Sequence, residues 1–294
     1  MALPYTKRVI SVCNRQHIDV WKLTSALMPI YVEADDYVVY VPKNEIQEFK
    51  RATSERVQVL SETDDLDIPF VEELRKKISD SGNSKRFGWY FQQYIKIQAL
   101  IQSETDASIL WDADCVPVKK IDFFDLTGRP KYMRASELHD EYFKMIDRIL
   151  GLDRVQSQSF VTPGFPIFSK WVNELIFTIE QRNHGEKWFN AISNSTNFAL
   201  ESGFSEFELM GTWIANSHPD NWTSMDINWE RLGQSRFNYA RKLSMVDIVA
   251  LGEKHDLDII SFENWDLRGV RGRLSYLVNL NKYLLPKRET FKSS

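Results

Sequence analysis

The sequence contains little of what several classes of protein need. Its two cysteines, Cys13 and Cys115, cannot build a disulfide framework, and they lack the spacing of a metal-binding pair. Both follow apolar runs, which predicts buried free thiols and a reducing compartment. The net charge of −4 lacks the basic surplus of a general nucleic-acid-binding protein. We therefore expect neither a disulfide-stabilised secreted protein nor a nucleic-acid partner.

Long apolar runs and linkers are also missing. No stretch approaches the roughly 18 apolar residues of a membrane-spanning helix, and the N-terminal MALPYTKRVISVC shows no signal-peptide cleavage pattern. There is no internal repeat, and no Pro- or Gly-rich linker is long enough to separate two domains. We expect one continuous domain over residues 1–294, in the cytoplasm.

Near-continuous apolar strands alternate with helical stretches in the first 120 residues. The patterns predict strands at Arg8–Val12, Tyr37–Val41 and Val57–Leu60 and helices at 17–30 and 87–102. Residues 61–85 are polar and rich in charge, which we interpret as a mobile surface excursion. Fully apolar strands between helices are typical of a mostly parallel α/β sheet. Residues 121–267 form a less regular second half, and 268–294 a basic tail.

Two aspartates interrupt an apolar stretch at SILWDADCVPVKKI, residues 108–121. On a regular strand Asp112 and Asp114 would point the same way, because side chains alternate with a period of two. Paired carboxylates beyond the carboxyl end of a strand suit Mg²⁺ or Mn²⁺, and open α/β sheets bind ligands at that edge. A turn in which both side chains cap backbone amides is the simpler alternative. We favour a divalent cation that carries a phosphorylated ligand.

Three ordered motifs make the chain resemble nucleotide-sugar-dependent glycosyltransferases of the GT-A (Rossmann-like) fold. They are Gly88–Gln93 (GWYFQQ), the Asp-Ala-Asp at 112–114, and Ser205–Gly211 (SEFELMG). The resemblance spans residues 8–215 and is to enzymes that make bacterial surface polysaccharides. It implies a nucleotide-sugar-binding half over about 1–120, an acceptor and catalytic half over about 121–267, a UDP-sugar donor, and a glycan or lipid-linked glycan acceptor.

The same resemblance implies roles for individual residues. Asp114 would contact Mn²⁺ or Mg²⁺ directly, and Asp112 would reach the ribose, or the metal through water, with the reverse order as the alternative. His218 would be a third ligand, with a loop histidine without a function as the alternative. Glu206 would be the base that deprotonates the acceptor, with Glu208 as the alternative. The remaining candidates would bind the nucleotide sugar: Asn14, Arg15, Gln92, Gln93 and Lys96.

Residues around Ser205 also predict a helix from 205 to 215. Ser205 as N-cap and Glu208 three residues later form the capping-box pattern, which gives Glu208 a structural role. Glu206 has no comparable structural role, apart from the favourable interaction of a carboxylate with the helix dipole at the N-terminus. This difference favours Glu206 as the base.

Two other functions remain open from the sequence. ILWDADCV also fits the apolar strand and D-x-D-x-[TV] pattern of haloacid-dehalogenase-type phosphatases, in which Asp112 would be the nucleophile. That family places the motif on its first strand, whereas about 100 residues precede it here. A non-catalytic glycan- or nucleotide-binding domain is the third possibility.

The tail combines positive charge with apolar residues. From Arg268 onward the chain holds seven basic residues and one acidic residue, with leucines and tyrosines between them. A basic amphipathic segment can bind an anionic membrane surface. The tail therefore predicts a C-terminal helix packed on the domain with a solvated basic side, with a peripheral membrane contact as the alternative.

Overall fold

A computed structural model describes residues 5–266. Its strands, in chain order, are β1 Lys7–Val12, β2 Asp36–Val41, β3 Gln58–Ser61, β4 Ala107–Trp111, β5 Cys115–Pro117, β6 Lys131–Met133, β7 Gly164–Phe168, β8 Thr223–Met225, β9 Trp229–Glu230 and β10 Ile259–Ser261. Its helices are α1 Ile18–Tyr31, α2 Ile46–Ala52, α3 Val71–Asp80, α4 Phe87–Ile101, α5 Asp140–Leu150, α6 Ser169–Arg182, α7 Trp188–Ser195, α8 Glu206–Ser217, α9 Gly233–Arg236 and α10 Met245–His255.

The central sheet has five strands in the order β3-β2-β1-β4-β7. The pairs β3–β2, β2–β1 and β1–β4 are parallel, and β7 pairs with β4 in the antiparallel direction. The expected mostly parallel α/β sheet is therefore confirmed. The strand order reverses between β1 and β4, because the chain first builds the sheet outward through β2 and β3 and then returns to the other side of β1.

Helices cover both faces of this sheet, which explains why its strands are rich in apolar residues on both faces. On β1 and β4, Val9 and Ile109 belong to one buried cluster with α1 and α2. Their neighbours Ile10 and Leu110 belong to the opposite cluster, which also contains residues of α4 and α8. Two smaller sheets complete the second half, with strand orders β5-β10-β9 and β6-β8.

The interpretation of residues 61–85 as a mobile excursion is wrong. This segment contains α3, and every fourth residue from Leu66 to Ile78 is buried in the main core. The charged residues on the outer face dominate the composition and conceal this apolar stripe. An amphipathic helix explains both features.

Two further expectations concern membranes. None of the helices within residues 5–266 has the length and apolar character to cross a bilayer. The basic tail, for which we expected either a helix packed on the domain or a membrane contact, lies outside the described residues.

Candidate active site

A cleft of about 790 Å³ lies beyond the carboxyl ends of β1 and β4. This is the point at which the strand order reverses, where open α/β sheets bind their ligands. The residues after β1, the Asp-x-Asp segment after β4, and the start of α8 all contribute to its walls. The cleft therefore brings together side chains from Val12 to Trp265, which are 253 residues apart in the sequence.

The two aspartates lie in a turn and not on a regular strand. β4 ends at Trp111, after which the Asp112 amide donates to the Pro163 carbonyl (2.9 Å) and the Cys115 amide donates to the Asp112 carbonyl (3.1 Å). We predicted that the two aspartate side chains point in the same direction because we assumed a regular strand. That assumption is wrong. Both side chains nevertheless line the cleft.

Lys96 of α4 connects the aspartate turn to α8. Its Nζ donates to Asp112 Oδ1 at 2.7 Å and to Glu206 Oε1 at 2.8 Å, and lies 4.3 Å from the centre of the Phe207 ring. Only 5% of the Lys96 and Glu206 side chains is exposed. Burial alone would lower the pKa of Lys96, but the two carboxylates outweigh it and raise the pKa. Lys96 is therefore a buried cation held by two acidic residues.

The start of α8 separates the roles of Glu206 and Glu208. Ser205 caps the helix as expected, since its Oγ accepts from the Glu208 amide (3.3 Å). The Glu208 carboxylate does not close a capping box; it accepts from Ser159 Oγ (2.5 Å) and from the Phe160 amide (2.9 Å). Glu206 lines the cleft, whereas Glu208 does not. Burial raises the pKa of Glu208.

A second group of charged residues surrounds Asp114. Burial, followed by the charge of Asp112, raises the pKa of Asp114 to about 6. Burial likewise raises the pKa of Glu263 to about 7, although Arg231 opposes this shift. His17 Nδ1 lies 3.6 Å from Asp114 Oδ2, and burial lowers the pKa of His17. Acidic groups are thus crowded around Asp114, with Lys96 and Arg231 as the nearby positive charges.

Arg231 links two further acidic residues in the cleft. Its guanidinium donates to Glu137 Oε2 (2.7 Å) and to Glu263 Oε1 (2.9 Å), and lies 4.8 Å from the centre of the Trp229 ring. These contacts join the loops after β6, β9 and β10. The sequence analysis identified neither His17 nor the cluster of Arg231 with Glu137 and Glu263. Contacts between segments so far apart in the sequence cannot be predicted from local patterns.

Comparison with known families identifies the chain by sequence. Residues 23–243, about three quarters of the chain, match the family described as "Family of unknown function (DUF6492)". The chain belongs to this DUF6492 family. A search of curated protein sequences returns no match.

Two solved glycosyltransferase structures are similar to this DUF6492 chain at low scores. Mouse xyloside xylosyltransferase 1, in its apo form, is 10% identical with a TM-score of 0.46, over 88% of this chain and 98% of its own. The apo structure of WbbM, a bifunctional glycosyltransferase, is 10% identical with a TM-score of 0.40, over 90% of this chain and 47% of its own. At such scores, the function of the DUF6492 chain has to be argued from its own cleft.

Not all of the nucleotide-sugar candidates are free to contact a ligand. Asn14, Gln92, Gln93 and Lys96 line the cleft of this DUF6492 chain. Both polar atoms of Gln93 are engaged, however: its Nε2 donates to the Trp89 carbonyl, and its Oε1 accepts from the Glu206 amide. Gln93 therefore holds the start of α8.

Two candidates do not line the cleft. Arg15 directs its guanidinium to Glu48 at 2.7 Å. His218 lies at the far end of α8, stacked on Trp171 (4.7 Å between ring centres) and 3.0 Å from Glu174. A helix of 12 residues is about 18 Å long. The prediction of His218 as a ligand of the same metal as Asp114 is therefore wrong.

The residues of the cleft fit a divalent cation that is shared with a ligand. Six carboxylates and four Lys or Arg side chains are present among its described lining residues, so acidic groups are in excess. His17 Nδ1 is buried without a hydrogen-bond partner in residues 5–266. No group of three or more His, Cys, Asp or Glu that could hold a metal occurs in the same range. The protein would thus supply two donors, with water and ligand oxygens completing the coordination.

Proposed function

We propose that this DUF6492 protein is a metal-dependent glycosyltransferase of the GT-A type. It transfers a sugar from a nucleotide diphosphate sugar to a glycan or lipid-linked glycan. The observation that carries the proposal is the position of Asp112 and Asp114. Their turn follows β4, faces the cleft at the point where the strand order reverses, and stands next to the buried Lys96–Glu206 pair.

The charge of the cleft supports a cation with this donor. Lys96 and Arg231 are each held by two carboxylates, so neither carries uncompensated positive charge toward an entering diphosphate. Each of these two clusters contains one cation and two carboxylates, and the cleft as a whole has, among its described residues, six carboxylates against four Lys or Arg side chains, so it would repel that diphosphate. A bound divalent cation would reverse this repulsion and act as a Lewis acid for the departing diphosphate.

The dimensions and walls of the cleft suit a nucleotide sugar. A volume of about 790 Å³ lies within the roughly 300–1,000 Å³ range of small-molecule sites. Trp89, Trp229 and Trp265 line it, and aromatic rings of this kind can pack against a base or a sugar ring. Asn14 and Gln92 lie in the same walls and can bind ribose or sugar hydroxyl groups. The motif resemblance favours a UDP-sugar and a role in bacterial surface polysaccharide synthesis, at the cytoplasmic face of the membrane.

Glu206 is the best candidate for the base. In an inverting transfer, the acceptor hydroxyl gives its proton to this carboxylate while its oxygen bonds to the anomeric carbon. The bond between that carbon and the diphosphate breaks, and the diphosphate leaves with the electron pair. Lys96 positions Glu206 relative to Asp112, because one ammonium group binds both carboxylates. Glu208 faces the Ser159–Phe160 segment instead, which favours Glu206.

Paired Gln variants test the proposal. UDP-sugar turnover, with and without Mn²⁺, is measured for wild type, Glu206→Gln and Glu208→Gln. We expect Mn²⁺-dependent turnover in the wild type and a loss of about 10²–10⁴-fold in Glu206→Gln with donor binding retained. Glu208→Gln should stay near wild type, since Gln can still accept from Ser159 and Phe160.

Other outcomes would reject specific parts of the proposal. Wild-type turnover in Glu206→Gln would exclude it as the base. Nucleotide binding without turnover would instead indicate a binding domain. Covalent labelling of Asp112 by a phosphate ester would indicate the phosphatase.

A further inference from the structure

We propose that His17, through Nδ1, is a ligand of the divalent cation together with Asp114. The inference rests on the proposed function, since it names a protein ligand of the same metal. His17 takes the place of His218 as the expected histidine ligand, because the fold places His218 at the far end of α8. The two donor atoms, His17 Nδ1 and Asp114 Oδ2, belong to the loop after β1 and the turn after β4, the two strands that flank the point of reversal.

The geometry of this pair suits a shared cation better than a direct contact. The donor atoms are 3.6 Å apart, beyond the distance of a hydrogen bond, and Nδ1 is buried with no partner in the part of the chain that the structure describes. A buried ring nitrogen without a partner is costly. Two donors at about 2.1 Å from one metal lie about 3.0 to 4.2 Å apart, depending on the angle between them. A cation between them would satisfy both atoms.

The other ring nitrogen holds the imidazole in place. His17 Nε2 lies 2.9 Å from the side-chain amide nitrogen of Asn264. With a cation at Nδ1, Nε2 carries the proton and donates to the amide oxygen after the Asn264 amide rotates. Such a partner for the second nitrogen is the usual support of a metal-binding histidine.

A nitrogen donor also bears on the identity of the metal. Mg²⁺ binds almost only oxygen donors, whereas Mn²⁺ belongs to the first-row transition metals, which also bind sites that contain nitrogen donors. With two protein donors, the remaining positions belong to water and diphosphate oxygens. We therefore expect the protein to bind Mn²⁺ more tightly than Mg²⁺, and to bind Mn²⁺ more tightly when a diphosphate is present.

Electron spin echo envelope modulation of bound Mn²⁺ tests the assignment. Inorganic pyrophosphate is the probe, since it contains no nitrogen. The wild type and a His218→Gln control should both show coupling of Mn²⁺ to a ring nitrogen, and His17→Gln should lose it. Affinity for Mn²⁺ with pyrophosphate should fall at least about tenfold in His17→Gln and remain unchanged in His218→Gln.

A measurement on the wild-type protein tests the assignment independently of whether the His17→Gln variant folds. Wild-type protein containing ¹⁵N-labelled histidine should show the ¹⁵N coupling in place of the ¹⁴N coupling. Mn²⁺ bound with pyrophosphate but without any nitrogen coupling would overturn the role of His17 and leave the proposed metal site intact. If the wild type binds no Mn²⁺ under these conditions, the inference and the metal dependence of the proposed function both fail.

Discussion

Among single residues, the buried cation Lys96 links two acidic residues of the cleft, Asp112 and Glu206. Its ammonium group lies between Asp112 and Glu206, and the Glu206 side chain is only 5% exposed. Removing one partner of a buried ion pair leaves a charge that neither water nor protein solvates. The stability of the domain and the geometry of the cleft therefore depend on the same side chain.

Lys96→Met should destabilise the protein by about 3–5 kcal/mol, because it leaves Glu206 buried without its cation. Urea unfolding at pH 7 measures the change. Lys85→Met is the matched control: Lys85 also lines the cleft but is exposed, so its substitution should change stability by no more than about 0.5 kcal/mol. A Lys96→Met protein as stable as the control would contradict the account of this ion pair.

Glu62, at the carboxyl end of β3, makes stability depend on pH. Burial, and then the charge of Glu45, raises its pKa from 4.5 to about 7. The folded protein thus binds more protons than the unfolded chain between about pH 4.5 and 7. Stability contributed by this residue falls as pH rises through that window, and the loss is complete above pH 7.

Glu62→Gln should therefore stabilise the protein at pH 8 by about 1–3 kcal/mol and have little effect near pH 4.5. Urea unfolding as a function of pH measures the difference from wild type. Glu104→Gln, at an exposed position, should show no such rise with pH. A difference that stays constant from pH 4.5 to 8 would exclude burial of the Glu62 charge as its cause.

At the scale of elements, the packing of α8 depends on a glycine. A Cβ added to Gly211 would lie 2.2 Å from the Phe160 ring. That ring is buried and packed against Tyr132 and Trp222, and the Phe160 amide is bound by Glu208. Gly211 thus permits the close approach that lets Glu208 hold the 159–160 segment and leaves Glu206 facing the cleft.

Gly211→Ala should cost about 1–3 kcal/mol, because the surrounding aromatic rings prevent Phe160 from moving aside. Gly88→Ala is the matched control in the first turn of α4, where a Cβ meets nothing within 4 Å. It should stabilise the protein by about 0.5–1 kcal/mol through helix propensity. Thermal unfolding compares the two, and equal effects at both positions would contradict this packing.

Local patterns predicted some elements well and others poorly. The strands β1 to β4 and the helices α1, α4 and α8 follow from apolar periodicity and from the Ser205 cap, both of which are local properties. α3 was missed because its buried stripe is narrow and its charges dominate the composition. In the candidate site, the sequence pointed to Asp112, Asp114, Glu206 and Lys96, but not to the ion pairs that join them. Contacts such as Lys96–Glu206 and His17–Asp114 depend on the tertiary fold.

For the molecule as a whole, the sign of the charge in the cleft determines which ligands can bind there. The chain carries a net charge of −4, and acidic groups are also in excess among the described residues of the cleft. A nucleoside diphosphate should therefore bind only with a divalent cation. We expect this requirement for a cation to depend on Asp114, because Asp114 is the proposed carboxylate ligand of the metal.

A thermal-shift titration of UDP, with and without Mn²⁺, measures whether nucleotide binding depends on the cation and on Asp114. In the wild type, UDP and Mn²⁺ together should stabilise the fold, by about 2.7 kcal/mol at 100 times the dissociation constant, whereas UDP alone should have little effect. Asp114→Ala should remain folded but lose this joint stabilisation, and Asp122→Ala, at an exposed position outside the cleft, should retain it. Equal stabilisation of Asp114→Ala and the wild type by UDP with Mn²⁺ would contradict the account.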